Sequence, residues 1–253
     1  TAADIAKAAL NITVSGVDKT YDGTTAADVI FGDDRIGSDV LTIGAGGTAF
    51  TDKNAGTGKA ISVTGISVTG TDAGNYTWGT TASTGADIAK AALSVTAAGV
   101  NKTYDGTTSA GLNLSDDRIG SDDLVLSGTA LFSDKNAGVG KTILVNGIAV
   151  TGTDADNYTW NTSTSTSADI AKAALNITAA GVNKTYDGTA VADANLNDDR
   201  LGADSLTISA SSKTFTDKNA GVGKAVAVSG ITVTGADAGN YTWNTSAANS
   251  ADI

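Results

Sequence analysis

An all-β chain built from three tandem domains is what this sequence predicts, on three observations. Its 253 residues contain no His, Cys, Met, Pro, Glu or Gln, while Thr, Val, Ile and Gly abound. That composition removes good helix formers and keeps strand formers. Short runs alternate apolar and polar residues, the period of a half-buried strand. Finally, motifs return at a fixed spacing: Tyr21-Asp-Gly-Thr recurs at Tyr104 and Tyr186, offsets of 83 and 82. Asp52-Lys-Asn-Ala-Gly recurs at Asp134 and Asp217, and Asn75-Tyr-Thr-Trp at Asn157 and Asn240. Units this long fit small domains better than solenoid repeats of about 20–45 residues.

Within the first unit, Leu10, Ile12 and Val14 alternate with Asn11, Thr13 and Ser15, which predicts the opening strand. Asp33–Ser38 is read as a short turn, helical or otherwise. Leu41 and Ile43 flank Thr42 in a second strand, and a Gly-rich turn leads to Phe50. In the run Ile61, Val63, Gly65, Ile66, Val68 the apolar parity flips across Gly65, which predicts a bulge or tight corner there and at Gly147 and Gly230. Tyr76 and Trp78 share one face of a further strand, and Ala86-Asp-Ile88 closes the unit. About seven short strands per unit predict small antiparallel β-sandwiches of the Ig-like kind.

Domain limits are read at 1–88, 89–170 and 171–253. From Ile88 the chain runs through Ala89-Lys90-Ala91-Ala92 directly into Leu93, with nothing Gly-, Ser- or Pro-rich between. An extended residue spans about 3.3 Å, so such a connection has little slack. The expectation is an end-to-end, extended rod with little hydrophobic contact between domains beyond the linker Ala and Leu residues and a few loops. The chain opens at Thr1 inside a repeated motif, which predicts a segment of something longer.

Composition also excludes chemistry. Without Cys there is no disulfide framework, thiolate zinc site or Cys nucleophile. Without His there is no Ser-His-Asp triad and no imidazole ligand. Twenty-seven Asp against 13 Lys and 3 Arg leave a net charge of −11, a poor match for nucleic acid or an anionic membrane. No run approaches the ~20 apolar residues of a membrane span.

Tyr-Asp-Gly-Thr behind an Ala-Leu-x-[IV]-Thr strand, Asp-Lys-Asn-Ala-Gly-x-Gly-Lys, and Asp-Ala-[GD]-Asn-Tyr follow one another in fixed order in all three units. Together they resemble the YDG-type tandem repeats of bacterial surface adhesins, including filamentous-haemagglutinin-like exoproteins. The resemblance implies tandem β-domains that carry an adhesive tip outward, and it supplies no catalytic residues. Two departures stand out: Ala occupies the linker position where the family often has Pro, and Trp78, Trp160 and Trp243 stand where an aliphatic residue is common.

Candidate sites are few. The acidic run comprises Asp33, Asp34 and Asp39, then Asp116, Asp117, Asp122 and Asp123, then Asp198, Asp199 and Asp204. Clustered carboxylates are hard-cation ligands, which makes these the calcium candidates. Arg35, Arg118 and Arg200 sit inside the run, however, and a guanidinium pairs with such carboxylates. Structural Asp–Arg pairing is therefore the preferred reading, with no cofactor expected. Asp-Ala-Gly-Asn at 72–75 reads as a plain turn. Asp52–Lys59 resembles a phosphate loop without its GxxxxGK[ST] spacing and reads as a hairpin connection.

The aromatics recur four per unit, with Phe31 alone outside the pattern. Repetition suits core or interdomain packing; an exposed Tyr/Trp ladder, with Trp78, Trp160 and Trp243 as glycan contacts, is the alternative. The function expected is a structural stalk or spacer of a large secreted adhesin at the bacterial cell surface, in a biofilm setting. Its partners would be neighbouring repeats of the same chain and cell-surface or matrix polysaccharide, with no nucleic acid and no membrane insertion. The alternative is a repetitive carbohydrate-binding array, separated from the stalk by whether the Trp side chains are exposed or buried. Near-equal copies without His or Glu speak against an enzyme.

Overall fold

A computed structural model describes residues 3–253. Each repeat is a set of small sheets, with no α-helix among the described residues. In repeat 1, Ile12–Gly16 pairs antiparallel with Val29–Asp33. Gly47–Phe50, Gly56–Thr64 and Thr81–Ala89 lie antiparallel in a second sheet, and Lys19–Thr20 joins its edge. Thr42–Gly44 pairs antiparallel with Ser67–Thr69. Among the described residues of the repeat the only helical turn is a 3₁₀ turn at Ala73–Asn75, while Ile36–Ser38 forms a plain turn.

Not every pairing is antiparallel. Lys19–Thr20 runs parallel to Ile88–Ala89, and Ala8–Ala9 parallel to Tyr76–Thr77. Repeats 2 and 3 repeat the second arrangement: Ala91–Leu93 parallel to Tyr158–Trp160, and Ala173–Leu175 parallel to Tyr241–Trp243. Sequence alternation reports which face a residue takes, and is blind to strand direction.

The parity flip has a backbone cause. Ile61 and Val63 are buried, then Ile66 and Val68, with Gly65 at φ +64° between them. A left-handed residue turns the strand, so that the apolar positions change parity and Val68 joins Leu10, Leu41 and Tyr76 in a buried cluster. Gly147 and Gly230 are likewise left-handed, at φ +63° and +62°. In repeat 1 the strand is interrupted between Thr64 and Ser67, whereas in repeats 2 and 3 it continues through the glycine to Thr151 and Thr234. The core of repeat 1 gathers Leu10, Leu41, Val68 and Tyr76, with Ile12, Ile43 and Trp78 packed against them.

The chain forms two compact units that do not coincide with the three repeats. One runs to Thr96 and adds Ser115–Ser127 and Ile148–Thr162; the other is Ala97–Leu114, Gly128–Gly147 and Ser163–Ile253. Repeat 2 is thus shared, one part packing with repeat 1 and the other with repeat 3. Within the first unit a single residue, Lys90, separates the closing strand Thr81–Ala89 from Ala91–Leu93. Lys172 does the same between Ser163–Ala171 and Ala173–Leu175 in the second.

Candidate functional site: the junction between repeats

The Tyr-Asp-Gly-Thr turn is organised by a lysine. Lys19 donates from Nζ to Asp22 (2.8 Å) and to the carbonyls of Thr24 and Ala26 (both 2.9 Å). Asp22 in turn accepts the Thr24 N–H and hydroxyl, each at 2.9 Å, closing an Asx-type turn. Lys102 and Asp105, and Lys184 and Asp187, reproduce this in repeats 2 and 3. The Lys102 ammonium holds the Asp105 carboxyl down at about 2.

The turn presents its tyrosine to the next repeat. In the first unit, Tyr21 is 2 % exposed and donates its hydroxyl to Asp122 Oδ2 at 2.8 Å. Tyr158 donates to the same oxygen at 2.6 Å, and the two rings meet edge to face at 5.5 Å. Lys53 donates to Asp122 Oδ1 (2.8 Å) and Asp154 Oδ1 (2.9 Å) and lies 5.7 Å from the Tyr21 ring centre. Asn157 accepts the Ala55 N–H at 2.8 Å. The second unit repeats the arrangement one repeat further on. Asp204 accepts Tyr104 (2.8 Å), Tyr241 (2.7 Å) and Lys135 (2.9 Å), Lys135 also reaches Asp237 (3.0 Å), and Asn240 accepts the Ala137 N–H (2.9 Å). A buried carboxylate is stable only when such partners replace its water. Among the described residues no buried side-chain nitrogen or oxygen lacks a partner.

The acidic run positions this carboxylate. Arg118 grips Asp116 through Nε (2.8 Å) and Nη2 (2.6 Å), and its Nη1 donates to the carbonyls of Asp122 and Leu124. Arg35 holds Asp33, and Arg200 holds Asp198, in the same way. Asp34, Asp117 and Asp199 each accept a backbone N–H from the opening strand at 2.7 Å, from Asn11, Ser94 and Asn176. Asp39 accepts the Tyr76 hydroxyl at 2.5 Å, and Asp122 and Asp204 accept the junction tyrosines. Among the described residues no three carboxylates converge on a common point that would hold an ion. Trp78, Trp160 and Trp243 are half-buried and donate Nε1–H to the carbonyls of Ile66, Ile148 and Ile231 at 3.2–3.3 Å.

Little hydrophobic contact between repeats, through linker Ala and Leu residues and a few loops, was the expectation; the loops make the contact described here, and it is an ordered polar cluster. Lys53, Lys135, Asp154, Asn157 and Asn240 were passed over because their motifs read as a hairpin and a turn. Their signal was joint recurrence with Tyr21 and Asp122, at positions about one hundred residues apart in sequence.

Electrostatics give the junction a pH window. Burial pushes the Asp122 carboxyl up, but hydrogen bonds from Lys53, Tyr158 and Tyr21 outweigh it and hold the group below its ordinary value. Asp204 behaves likewise, through Tyr241, Lys135 and Tyr104. A depressed folded-state value contributes stability that is complete above the unfolded value, about 3.9, and is lost as pH falls through the folded one. Burial, reinforced by the neighbouring Asp122 and Asp204, pushes Tyr158 and Tyr241 up to about 12. Their contribution is complete below the unfolded value near 10 and lost as pH rises through the folded one. With no His, no side chain titrates near neutrality. The melting temperature is therefore expected to be flat from about pH 5 to 9 and to fall on either side. A calorimetric series showing a step between pH 6 and 7 would contradict this.

A turn that delivers a tyrosine into the following copy of itself defines a modular chain of interlocking β repeats. The YDG domain model matches residues 6–84, 89–167 and 171–249, and the chain belongs to that family. No curated protein and no solved structure matches it.

Proposed function

We propose that the chain is a stalk segment of a large secreted bacterial adhesin, a spacer of sandwich-like YDG repeats set end to end that carries an adhesive region away from the cell surface. The observation that carries this reading is the pair of buried, fully satisfied junctions. Each spends its most polar residues on the neighbouring repeat, which is the work of a spacer and not of a ligand site. A single-residue connection between strands supports stiffness. The partners are then neighbouring repeats, with no cofactor and no catalytic role. High net negative charge keeps closely spaced stalks apart.

Small-angle scattering tests the geometry. Three repeats of about ten to twelve strand residues in length span roughly 110–120 Å at ~3.3 Å per residue. A globule of the same mass has a radius of gyration of ~18 Å. A compact, near-spherical distance distribution would sink the stalk. Calcium is expected to leave the melting temperature unchanged, because Arg35, Arg118 and Arg200 already engage Asp33, Asp116 and Asp198. A rise of many degrees with millimolar Ca²⁺, reversed by a chelator, would overturn that.

One observation favours the carbohydrate-array reading: an open cleft of 450 Å³ lies beside Trp160, lined by Leu93, Ser94, Asp117 and Asn161. Binding of matrix polysaccharide that is abolished by Trp160→Ala, with folding intact, would establish it over the spacer.

A further inference from the structure

Repeats 2 and 3 carry the same cleft. Beside Trp243 a hollow of 290 Å³ is lined by Leu175, Asn176, Thr242 and Asn244, the counterparts of Leu93, Ser94, Thr159 and Asn161 beside Trp160. Repeat 2 has a repeat on either side, so the opening of its cleft owes nothing to a chain end. An asparagine builds the floor. Asn161 Oδ1 accepts the Val95 N–H at 2.8 Å while its Nδ2 donates to the Val95 carbonyl at 3.0 Å. Asn244 clasps Ile177 in the same way, at 2.8 Å for both bonds. Val95 and Ile177 are 2 % exposed behind these amides. In repeat 1 the position belongs to Gly79, and Ile12, the counterpart of Val95, is half-buried. The strand that presents the indole runs through Trp160 and Trp243 but ends at Thr77 in repeat 1. With Nε1 tied to a backbone carbonyl, the indoles of repeats 2 and 3 are held in place before any ligand arrives.

We propose that the clefts beside Trp160 and Trp243 bind a basic amino-sugar polymer, a chain of hexosamine units with free amines, one ring seated on each indole. The proposal rests on the carbohydrate-array reading and gives it a substrate class. A pyranose offers a face of C–H groups that packs on an aromatic plane. Charge selects among sugars. Asp117 is the only charged residue that lines either cleft among the described residues. Its Oδ1 accepts the Ser94 N–H at 2.7 Å, while its Oδ2 and the Ser94 hydroxyl have no partner among the described residues. In repeat 3, Asp199 holds the N–H of the cleft-lining Asn176 at the same distance. A carboxylate and a tryptophan face both favour an ammonium, the second through its ring quadrupole. A uronic acid would set carboxylate against carboxylate on a chain of net charge −11, whose field gathers polycations and turns polyanions away. No junction residue lines either cleft, so a repeat can hold its neighbour and a saccharide at once.

The indole N–H resonances of the full chain, labelled with heavy nitrogen and assigned with Trp78→Phe, Trp160→Phe and Trp243→Phe, report each position separately. A glucosamine hexasaccharide is titrated in at about pH 5.5, where its amines are charged and the carboxylates ionised. The Trp160 and Trp243 signals are expected to shift and saturate while Trp78 stays still. Asp117→Asn keeps an acceptor for the Ser94 N–H, so the fold survives; it should weaken the Trp160 site about threefold and leave the Trp243 site unchanged. A galacturonate hexasaccharide should shift neither signal, and a lysine hexapeptide, which has the charge without the sugar face, should leave both in place. Shifts with galacturonate as large as with glucosamine would overturn the substrate class and leave the array reading standing. No shift with either saccharide would end both. Equal shifts with the lysine peptide, or a Trp78 signal that moves in step, would also overturn the proposal, because charge alone or an indole without its asparagine would then suffice.

Discussion

Asp122→Ala is expected to destabilise the chain by about 3–5 kcal/mol, the cost of removing one member of a buried, hydrogen-bonded ion pair. The substitution deletes a single side chain but removes the acceptor of two buried phenol hydroxyls and leaves the Lys53 ammonium with Asp154 alone. The molecule contains its own control. Asp39 occupies the same position in repeat 1, half-buried, with the Tyr76 hydroxyl as its partner and no lysine paired to it among the described residues. Asp39→Ala should cost only about 1–2 kcal/mol, the loss of one charge-assisted hydrogen bond. Urea denaturation of the two variants separates the contributions. Equal shifts would mean that the junction adds nothing beyond the local Tyr–Asp bond.

A comparable loss is expected from Gly152→Ala, for a different reason. Gly152 has φ +122°, and a Cβ there would stand 2.1 Å from the Asp123 carbonyl oxygen. Backbone cannot yield as a side-chain tip does, so strain and overlap add to about 3 kcal/mol or more. The displaced segment is Asp123–Leu124, immediately beside Asp122, so the junction should loosen with the repeat. Gly147→Ala is the comparison: φ is +63° but nothing lies within 4 Å of the added carbon. It should cost about 1–2 kcal/mol, the price of a left-handed L-residue alone. If the two variants melt alike, the close approach at Gly152 is not what holds that turn.

What the sequence disclosed follows from what repetition and period can encode. The three copies, the strand character of Leu10–Val14 and the face change at Gly65 are local patterns, and all are present in the fold. The Asp33–Arg35 pairing was legible because the partners are two residues apart. The parallel direction of Ala91–Leu93 against Tyr158–Trp160 was not, since alternation is the same in either direction. Nor was the junction, whose members Tyr21, Lys53, Asp122 and Asp154 come from four loops of two repeats. Each loop taken alone has an adequate explanation as a turn, and only their meeting in space shows a shared carboxylate. A hint was available in Lys53: its loop holds two lysines and one aspartate, and Asp52 is taken by Lys59, so the recurring Lys53 finds its carboxylates elsewhere.

Tension along the polypeptide meets this architecture in shear. In repeat 1 the early strand Lys19–Thr20 and the last residues of the closing strand, Ile88–Ala89, lie side by side and parallel. Lys102–Thr103 and Ile170–Ala171 do so in repeat 2. Pulling one strand backward and its parallel neighbour forward strains their hydrogen bonds together, whereas a hairpin would open like a zipper, one bond at a time. The tyrosine that follows each early strand is anchored at the same point, Tyr21 N–H to the Ala89 carbonyl and Tyr104 N–H to the Ala171 carbonyl, both at 2.8 Å. Mechanical resistance is thereby concentrated where one repeat hands over to the next, so that rupture requires several bonds to fail at once.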